Sequence, residues 1–323
     1  MNILLTGGAG YIGSHVALSL IDKGHSVHII DNLSTGNPKL IPKKALFTKC
    51  NINDDHTVSN IIKNNKYDAL MHFAGFVQVE ESVKYPNKYF ENNTENSIKL
   101  FNICKKNGLN KIIFSSTAAA YGSVSENKII DETTNLNPQN PYAESKIKTE
   151  NFLFENKDDF KFIILRYFNV AGADKNYKTG QIGKHKPTHV IKNLTDAIIK
   201  NKTFEIFGKN YNTKDGSAVR DFIYLEDLSK IHIKILKYMM KKNYTGKIVL
   251  NCGYGLGFSI LDLALNAKKL YKNFEFKFSQ KRKGDLAYVV ADNSKLKKIL
   301  KWNMKITSIK KIIKSSVEWE KRI

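Results

Sequence analysis

The sequence predicts an α/β protein with a Rossmann-like, doubly wound parallel sheet and a smaller C-terminal α/β domain. Short apolar runs alternate with amphipathic stretches through the first half of the 323-residue chain, which is typical of a parallel sheet covered by helices on both faces. A glycine-rich turn at residues 6–13 directly follows the first apolar run. Polar or glycine residues end the successive runs, at the sheet edge where ligands bind in this fold class.

Residues 3–5 form the first predicted strand, and apolar residues 16–21 have the spacing of a helix that ends near Gly24. Further strands are predicted at residues 27–30, 69–73, 111–116 and 162–165. The residues that end the strands are Thr6, Asp31, Gly75, Thr117 and Asn169. This regular part of the chain predicts a first domain over residues 1–168.

Beyond Asn169 the alternation weakens, and we predict a second domain over residues 169–323. Its predicted elements are a helix at residues 190–200 and strands outside the main sheet at residues 204–207 and 274–278. Residues 249–251 are predicted to return to the main sheet, within a returning segment near residues 216–254.

Composition narrows the classes of partner. The formal net charge is +22 at pH 7, but nearly all the positive charge is lysine spread along the chain, which favours a solvated surface over nucleic-acid binding. No apolar run is long enough to span a membrane. The widely separated cysteines Cys50, Cys104 and Cys252, and a strand in place of an N-terminal leader, favour the cytoplasm.

The glycine-rich turn indicates a dinucleotide site. Gly7, Gly10 and Gly13 lie between a predicted strand and a predicted helix, where glycines allow a tight turn and close approach of a pyrophosphate to the helix N-terminus. Asp31 lies 18 residues after Gly13, at the end of the next strand. A carboxylate there accepts hydrogen bonds from a ribose and repels a 2′-phosphate, which favours NAD over NADP. The alternative is that Asp31 only starts a loop.

Tyr142 and Lys146 are the main candidates for catalysis. Their i, i+4 spacing places a phenol and an ammonium on one face of a helix. A phenol titrates near pH 10, and a neighbouring cation favours the phenolate. Lowering the pKa by about three units takes about 4 kcal/mol, which Lys146 and a cationic nicotinamide ring together supply. Such a pair alone is typical of an exposed helix, but the upstream glycine turn favours an active site.

With these motifs in view, the chain resembles the extended short-chain dehydrogenase/reductases, and among them the UDP-glucose 4-epimerase family, over essentially its whole length. The segments that carry the resemblance, besides the turn and the Tyr142–Lys146 pair, are residues 31–34, 72–75, 81–83, 92–93, 115–117, 166–169, 216–221 and 284–286. The resemblance implies that Tyr142 is the catalytic base and acid and that Lys146 lowers its pKa and holds the nicotinamide ribose. It also implies that Thr117 bonds the reacting sugar hydroxyl.

The cofactor implied by the resemblance is NAD. The residues implied to bind it are Gly7, Gly10, Tyr11, Ile12, Gly13, Asp31, Asn32, Asn51, Ile52, Phe73, Ala74, Asn92, Tyr142, Lys146 and Phe168. The residues implied to bind a UDP-hexose are Thr117, Asn169, His189, Val190, Phe207, Arg220, Arg282, Asp285 and Val289. The implied reaction interconverts UDP-galactose and UDP-glucose through transient oxidation at C4 and a 4-keto sugar that turns before it is reduced. The first domain is thus expected to bind NAD and the second the UDP-sugar.

Related activities remain to be weighed. Dehydratases that resemble this chain carry Asp-Glu directly after the catalytic threonine, whereas this chain has Ala118-Ala119, which disfavours elimination. Epimerisation of a UDP-N-acetylhexosamine, UDP-uronate or UDP-pentose stays open. A non-catalytic NAD-binding regulator is less favoured, because the acid–base set is intact.

The chain departs from the family pattern in three places. Asn51-Ile52 replaces the usual Asp-Ile or Asp-Leu near adenine, and Val77 replaces a lysine that some members carry near the cofactor. Val289 stands where a large aromatic restricts the hexose pocket in the family. The resemblance also implies a homodimer with an interface of two helices from each subunit.

Overall fold

The computed structural model describes residues 1–122, 128–182, 189–282, 285–303 and 305–323. Its strands are β1 (Asn2–Thr6), β2 (Ser26–Ile30), β3 (Leu46–Thr48), β4 (Ala69–His72), β5 (Lys111–Thr117), β6 (Lys161–Tyr167), β7 (Asn169–Ala171), β8 (Phe204–Phe207), β9 (Val219–Tyr224), β10 (Lys247–Cys252), β11 (Gly257–Ser259), β12 (Phe276–Ser279) and β13 (Tyr288–Val289). Its helices are α1 (Tyr11–Ile21), α2 (Asp55–Asn64), α3 (Val79–Lys84), α4 (Pro86–Tyr89), α5 (Asn96–Lys106), α6 (Pro141–Glu155), α7 (Val190–Ile199), α8 (Leu225–Met239), α9 (Ile260–Leu270), α10 (Ser294–Leu300) and α11 (Ile309–Glu320). A π-helical turn, Phe90–Glu95, joins α4 to α5.

The chain divides into two compact units. Unit 1 comprises Met1–Ala120, Pro138–Arg166 and Ser229–Leu250, and unit 2 comprises Tyr121–Asn137, Tyr167–Leu228 and Asn251–Ile323. Each unit is therefore assembled from separate stretches of the chain, whereas the predicted division is a single boundary near residue 168 with a return near residues 216–254. The assignment of cofactor binding and substrate binding to the two predicted domains stays a prediction.

The main sheet has seven strands in the order β10-β6-β5-β4-β1-β2-β3. The pairs β3–β2, β2–β1, β1–β4 and β4–β5 are parallel, and helices flank the sheet. This order reverses direction between β1 and β4, as in a doubly wound nucleotide-binding fold, so the predicted fold class is confirmed. The predicted return of residues 249–251 to this sheet is also correct, because they lie in β10.

The core of unit 1 follows from the strand register. Leu4 of β1 pairs with Leu70 of β4, which pairs with Ile112 of β5, and all three side chains are fully buried. Val58 of α2 and Leu100 of α5 belong to the same apolar cluster. Burying such a side chain contributes about 1.5–3 kcal/mol, so this layer holds the helices on the sheet and fixes the strand ends that carry the site.

Unit 2 is organised around β9, which pairs with β11, β13 and β7. A separate parallel pair joins β8 to β12. The predicted strand at residues 274–278 is displaced, because Phe274 donates its N–H to the Tyr271 carbonyl in a turn after α9 and its ring packs 6.0 Å from that of Phe204. Across both units, no helix in the described parts of the chain is long and apolar enough to cross a membrane.

Candidate active site

The glycine turn brings three backbone segments very close together. Gly7 has a φ of +72°, and a Cβ on it would lie 2.5 Å from the Ala74 amide nitrogen. A Cβ on Gly13 would lie 2.3 Å from the Gly7 carbonyl oxygen. Only glycine fits at both positions without displacing backbone. The helix α1 then begins at Tyr11 with Gly10 as its N-cap and no side chain capping it, so its first N–H groups stay available to bind an anion.

Asp31 holds this turn from the end of β2. Its Oδ2 accepts a hydrogen bond from the Ala9 N–H at 3.0 Å, and its Oδ1 accepts one from the Leu33 N–H at 2.8 Å. The residue is only 8% exposed. Because each carboxylate oxygen accepts two hydrogen bonds, Asp31 both fixes the turn and keeps acceptor capacity for a ribose hydroxyl.

A cleft in unit 1 gathers most of the residues predicted to bind a cofactor. Those that line it are Gly7, Gly10, Asp31, Asn32, Asn51, Ile52, Phe73, Ala74 and Asn92. Of the others, Tyr11, Ile12 and Gly13 form the first turn of α1, and Phe168 is buried in unit 2 between β6 and β7. Sequence reasoning missed the lining residues Ser34, Thr35, Gly36, Cys50, Asn53, Gly75, Phe76 and Asn96. Most of these residues are immediate sequence neighbours of predicted residues. A prediction that includes a few more residues after each strand end would therefore contain them.

Asn51, the departure from the family pattern, is bonded within this cleft. Its Oδ1 accepts a hydrogen bond from Asn32 Nδ2 at 2.8 Å. The Asn51 amide nitrogen is therefore oriented as a donor, which an aspartate at this position does not offer. A donor can bond to the ring nitrogens of an adenine, so the substitution is compatible with a dinucleotide.

Tyr142 lies in the first turn of α6. The Asn140 side chain caps this helix by accepting a hydrogen bond from the Ala143 N–H at 2.9 Å, and Pro141 at the first position is preorganised for a helix. The Tyr142 ring packs edge-on against Tyr89, with ring centroids 6.5 Å apart. Burial raises the pKa of Tyr142, and a side-chain hydrogen bond with Thr117 acts in the opposite direction.

Lys146 follows one turn later and is 3% exposed. Its Nζ donates to the Ser115 carbonyl at 3.1 Å and lies 4.9 Å from the centroid of the Phe114 ring. Burial lowers the pKa of Lys146 to about 8, and the charge of Glu150 partly opposes this. Burial has the largest effect on the Tyr142 pKa and raises it, and the lowering expected from Lys146 together with a bound nicotinamide ring stays a prediction.

Gly75 connects the lysine with the cleft. A Cβ on Gly75 would lie 3.2 Å from Lys146 Nζ, and Gly75 itself lines the cleft. The Lys146 ammonium therefore lies next to a residue that lines the dinucleotide cleft, with no side chain at residue 75 between them. Tyr142, Thr117 and Lys146 are thus assembled in unit 1 together with that cleft.

The π-helical turn Phe90–Glu95 orients Asn92 at this end of the cleft. Asn93 Oδ1 accepts hydrogen bonds from the Phe76 N–H at 2.8 Å and from Asn92 Nδ2 at 2.9 Å, and its Nδ2 donates to Ser145 Oγ at 3.1 Å. Asn93 therefore ties the loop after β4 to the helix of Tyr142 and Lys146. Isolated π turns are frequent at functional sites, but no local pattern in the sequence indicates this one.

Unit 2 brings several predicted substrate residues together. Arg220 Nη2 lies 2.6 Å from Asp285 Oδ1, and Tyr211 donates its hydroxyl to Asp285 Oδ2 at 3.2 Å. Val289 of β13 pairs in register with Arg220 of β9. The guanidinium of Arg282 stacks on the Phe207 ring at 3.7 Å. These contacts form an array of fixed guanidinium groups beside an aromatic ring.

The remaining predicted substrate residues lie on β7 and α7. Asn169 begins β7 and pairs with Phe222 of β9. His189 is the N-cap of α7, and its Nδ1 lies 3.1 Å from Gln181 Nε2, while Val190 is the first residue of the helix. Tyr211 was missed by sequence reasoning, since a lone tyrosine in a polar loop carries no signal.

The family described as the NAD dependent epimerase/dehydratase family matches residues 3–253, which is most of the chain. The chain belongs to the NAD dependent epimerase/dehydratase family. It is 41% identical to a UDP-glucose 4-epimerase of Lactobacillus helveticus over 99% of this chain and 97% of that protein. The resemblance on which the sequence analysis relies is thereby confirmed.

Solved structures agree with this membership of the NAD dependent epimerase/dehydratase family. The UDP-glucose 4-epimerase of Bifidobacterium longum, in complex with NAD⁺ and UDP, has a TM-score of 0.91 and 31% identity, covering all of this chain and 98% of that one. The UDP-Glc/GlcNAc 4-epimerase of Campylobacter jejuni has a TM-score of 0.85 and 36% identity, covering all of this chain and 99% of that one.

Proposed function

We propose that this protein is an NAD-dependent UDP-hexose 4-epimerase that interconverts UDP-galactose and UDP-glucose. The observation that carries the proposal is that the Lys146 ammonium lies beside Gly75, a residue that lines the dinucleotide cleft, and one turn from a half-buried Tyr142 that is bonded to Thr117. Relatives of 34–41% identity over nearly the whole chain are named UDP-glucose 4-epimerases, which agrees with it.

The cleft of unit 1 fits NAD. Gly7 and Gly13 leave a cradle that any Cβ would fill, and α1 presents uncapped N–H groups for a pyrophosphate. Asp31 has acceptor capacity for the adenosine ribose and its negative charge disfavours a 2′-phosphate. NAD held there would supply a hydride acceptor and donor for C4 of the sugar, which is the chemistry that a 4-keto intermediate of the sugar requires.

In this mechanism Tyr142 first loses its own proton to solvent, and the resulting phenolate takes the proton from the sugar O4 and later returns it. Thr117 holds the same hydroxyl by hydrogen bonding and orients the phenol of Tyr142. The positive charge of Lys146 favours the phenolate that forms when Tyr142 gives up its own proton. Proton transfer by a positioned side chain contributes a factor of about 10²–10⁴ to the rate.

The residues after Thr117 limit the chemistry to C4. Ala118 and Ala119 stand where dehydratases that resemble this chain carry two acids, and Ala118 is buried beside the site. Because both side chains are methyl groups, neither of these two residues can move protons at C5 and C6. A redox cycle at C4 is therefore favoured over elimination.

For the UDP group we propose the array on unit 2. The Arg282 guanidinium stacked on Phe207 and the Arg220 guanidinium held by Asp285 offer forked donors for phosphate oxygens beside a ring for the base. Asn169, His189 and Val190 are proposed to complete this site. Val289 is proposed to contact the hexose, because it is the register partner of Arg220.

A second candidate activity, on UDP-N-acetylhexosamines, is favoured by Val289. Valine is smaller than the large aromatic that restricts the pocket in the family, although it is branched and stiff. The Campylobacter jejuni relative at 36% identity is described as a UDP-Glc/GlcNAc 4-epimerase. We therefore expect UDP-galactose to be the better substrate, with some turnover of UDP-N-acetylgalactosamine.

We further propose a homodimer, in line with the family expectation of two helices from each subunit. Phe154 on α6 is 39% exposed, and an aromatic side chain at the surface of this helix is compatible with a partner surface there. Sedimentation equilibrium measures the oligomeric state, and a monomer at micromolar concentration contradicts the dimer.

The cytoplasm stays our expected location, since Cys50, Cys104 and Cys252 are all free thiols.

The decisive experiment incubates the purified protein with UDP-galactose and separately with UDP-N-acetylgalactosamine, and separates the products by chromatography. Conversion of UDP-galactose to UDP-glucose, without added reductant, supports the proposal. A protein that binds NAD but converts neither sugar nucleotide behaves as the regulator considered above and overturns it.

A further inference from the structure

A buried carboxylate lies behind the catalytic lysine. Glu150 of α6 is 1% exposed and bonds to two other elements of unit 1. Its Oε1 accepts hydrogen bonds from Ser116 Oγ at 2.5 Å and from Arg166 Nε at 3.1 Å, and its Oε2 lies 2.5 Å from Arg166 Nη2. This network connects α6 to the ends of β5 and β6.

The position of Glu150 relates it to all three catalytic groups. It follows Lys146 by four residues and so lies one turn further along the same helix face. Ser116, which donates to it, lies between Ser115 and Thr117. The Ser115 carbonyl accepts a hydrogen bond from the Lys146 ammonium, and the Thr117 side chain is hydrogen-bonded to Tyr142. The Glu150 carboxylate thus anchors the short segment that contacts both catalytic side chains.

Packing alone does not require an ion pair here. A buried pair loses the hydration of both charges, and replacing it by apolar groups of similar volume is often neutral or stabilising. Arg166 and Glu150 are both nearly fully buried in an apolar sheet interior. The charges therefore point to a role other than stability.

The electrostatic surroundings of Lys146 indicate that role. The titratable groups that face it are His72 from β4 and Tyr142 and Glu150 from α6, with Arg166 of β6 on the far side of Glu150. Burial keeps His72 neutral by lowering its pKa well below the ordinary value. Tyr142 is neutral in its resting form, because burial raises its pKa. Glu150 is therefore the anion that favours a charged Lys146, against burial that disfavours it.

We propose that Glu150 is a positioning residue for the epimerase reaction, whose carboxylate holds the positive charge on Lys146 and fixes residues 115–117 against α6. The proposal rests on the proposed function for its catalytic meaning. Its physical content, the charge state of Lys146, is measurable without any turnover.

The test uses the full-length protein with its lysines isotopically labelled at Cε. The variant Glu150→Gln/Arg166→Met removes both charges, keeps an amide oxygen for Ser116 and fills the volume of the arginine stem. Its Lys146 resonance is assigned by its loss in Lys146→Met and followed through a pH titration. Glu150→Gln alone is a second variant, but it leaves the Arg166 charge buried without the Glu150 carboxylate and is expected to be the less stable of the two.

Two controls separate charge from structure. Ser116→Ala removes a hydrogen bond to Glu150 and leaves the carboxylate in place, so the Lys146 titration should stay near pH 8. Asp227→Asn removes a buried carboxylate of unit 2 that accepts hydrogen bonds from Tyr254 and Thr307 and does not belong to the Glu150 network, so the Lys146 midpoint should be unchanged.

In the double variant the Lys146 midpoint should fall by about one pH unit or more, as expected when a nearby opposite charge is lost. A fall from about 8 to about 7 reduces the charged fraction at pH 8 about fivefold, so kcat at pH 8 should fall about fivefold with KM for the UDP-sugar little changed. An unchanged midpoint in a folded double variant overturns the proposal. A lowered midpoint in a protein whose wild type converts no UDP-sugar supports the role of Glu150 and overturns the proposed function instead.

Discussion

Replacing Tyr142 by phenylalanine isolates the proton carrier from the rest of the site. The substitution keeps the ring that packs edge-on against Tyr89 and removes only the hydroxyl that bonds to Thr117. A single hydrogen bond contributes about 1 kcal/mol to stability, so the variant should stay folded. Asp31 and the glycine turn are not in contact with the hydroxyl, so the bound NAD content should be unchanged.

Loss of the positioned acid–base group should lower kcat by a factor of about 100 or more, which corresponds to about 3 kcal/mol or more in the barrier. The assay follows formation of UDP-glucose from UDP-galactose at saturating substrate. Because the group acts in the transition state, KM should change much less than kcat.

Tyr89→Phe is the matched control for this change. Tyr89 lies beside Tyr142, and its hydroxyl donates to Glu81 and accepts from the Gln78 N–H. The Tyr89→Phe variant loses one hydroxyl, as Tyr142→Phe does, but it loses no group that is proposed to contact the sugar. Its kcat should stay within about threefold of wild type. If Tyr142→Phe retains turnover near that of Tyr89→Phe, Tyr142 is not the base and the proposed mechanism is wrong.

Three further predictions concern the cofactor, the substrate and pH. Asp31→Ala should weaken NAD binding and reduce the discrimination against NADP, measured by titration of both nucleotides; a protein that already prefers NADP refutes the role of Asp31. Val289→Tyr should abolish turnover of UDP-N-acetylgalactosamine and spare that of UDP-galactose, and equal losses in the two kcat/KM values contradict the gating role. Burial raises the pKa of Asp221 to about 6, while N–H groups of the loop after β10 and of residue 291 oppose this. The pKa of Asp221 in the folded protein exceeds the unfolded value of 3.8, so its protonated carboxyl stabilises the fold fully below pH 3.8. This contribution to the free energy of unfolding, about 3 kcal/mol in total, is lost as the pH rises through 6. Urea unfolding of wild type and Asp221→Asn at several pH values measures this, and parallel profiles refute it.

Much of the cofactor side was predictable from local patterns. A strand that runs into glycines and then a helix, with Asp31 ending the next strand, requires only neighbouring residues to form the turn. Helical spacing likewise places Tyr142 and Lys146 on one face wherever α6 packs. These features depend on backbone geometry within short stretches, which is why the sequence alone indicated them.

The tertiary structure decided what depends on burial and on distant contacts. Asn93 reaches residues 76 and 145 only because the π turn brings it there, and Glu150 meets Ser116 and Arg166 only because three elements converge. The direction of the Tyr142 pKa shift also follows from burial, which no spacing of residues reveals. The sequence sets which chemical groups are available, because it sets the residue types. The fold sets the charge that each group carries at rest, because desolvation depends on every neighbouring atom in space.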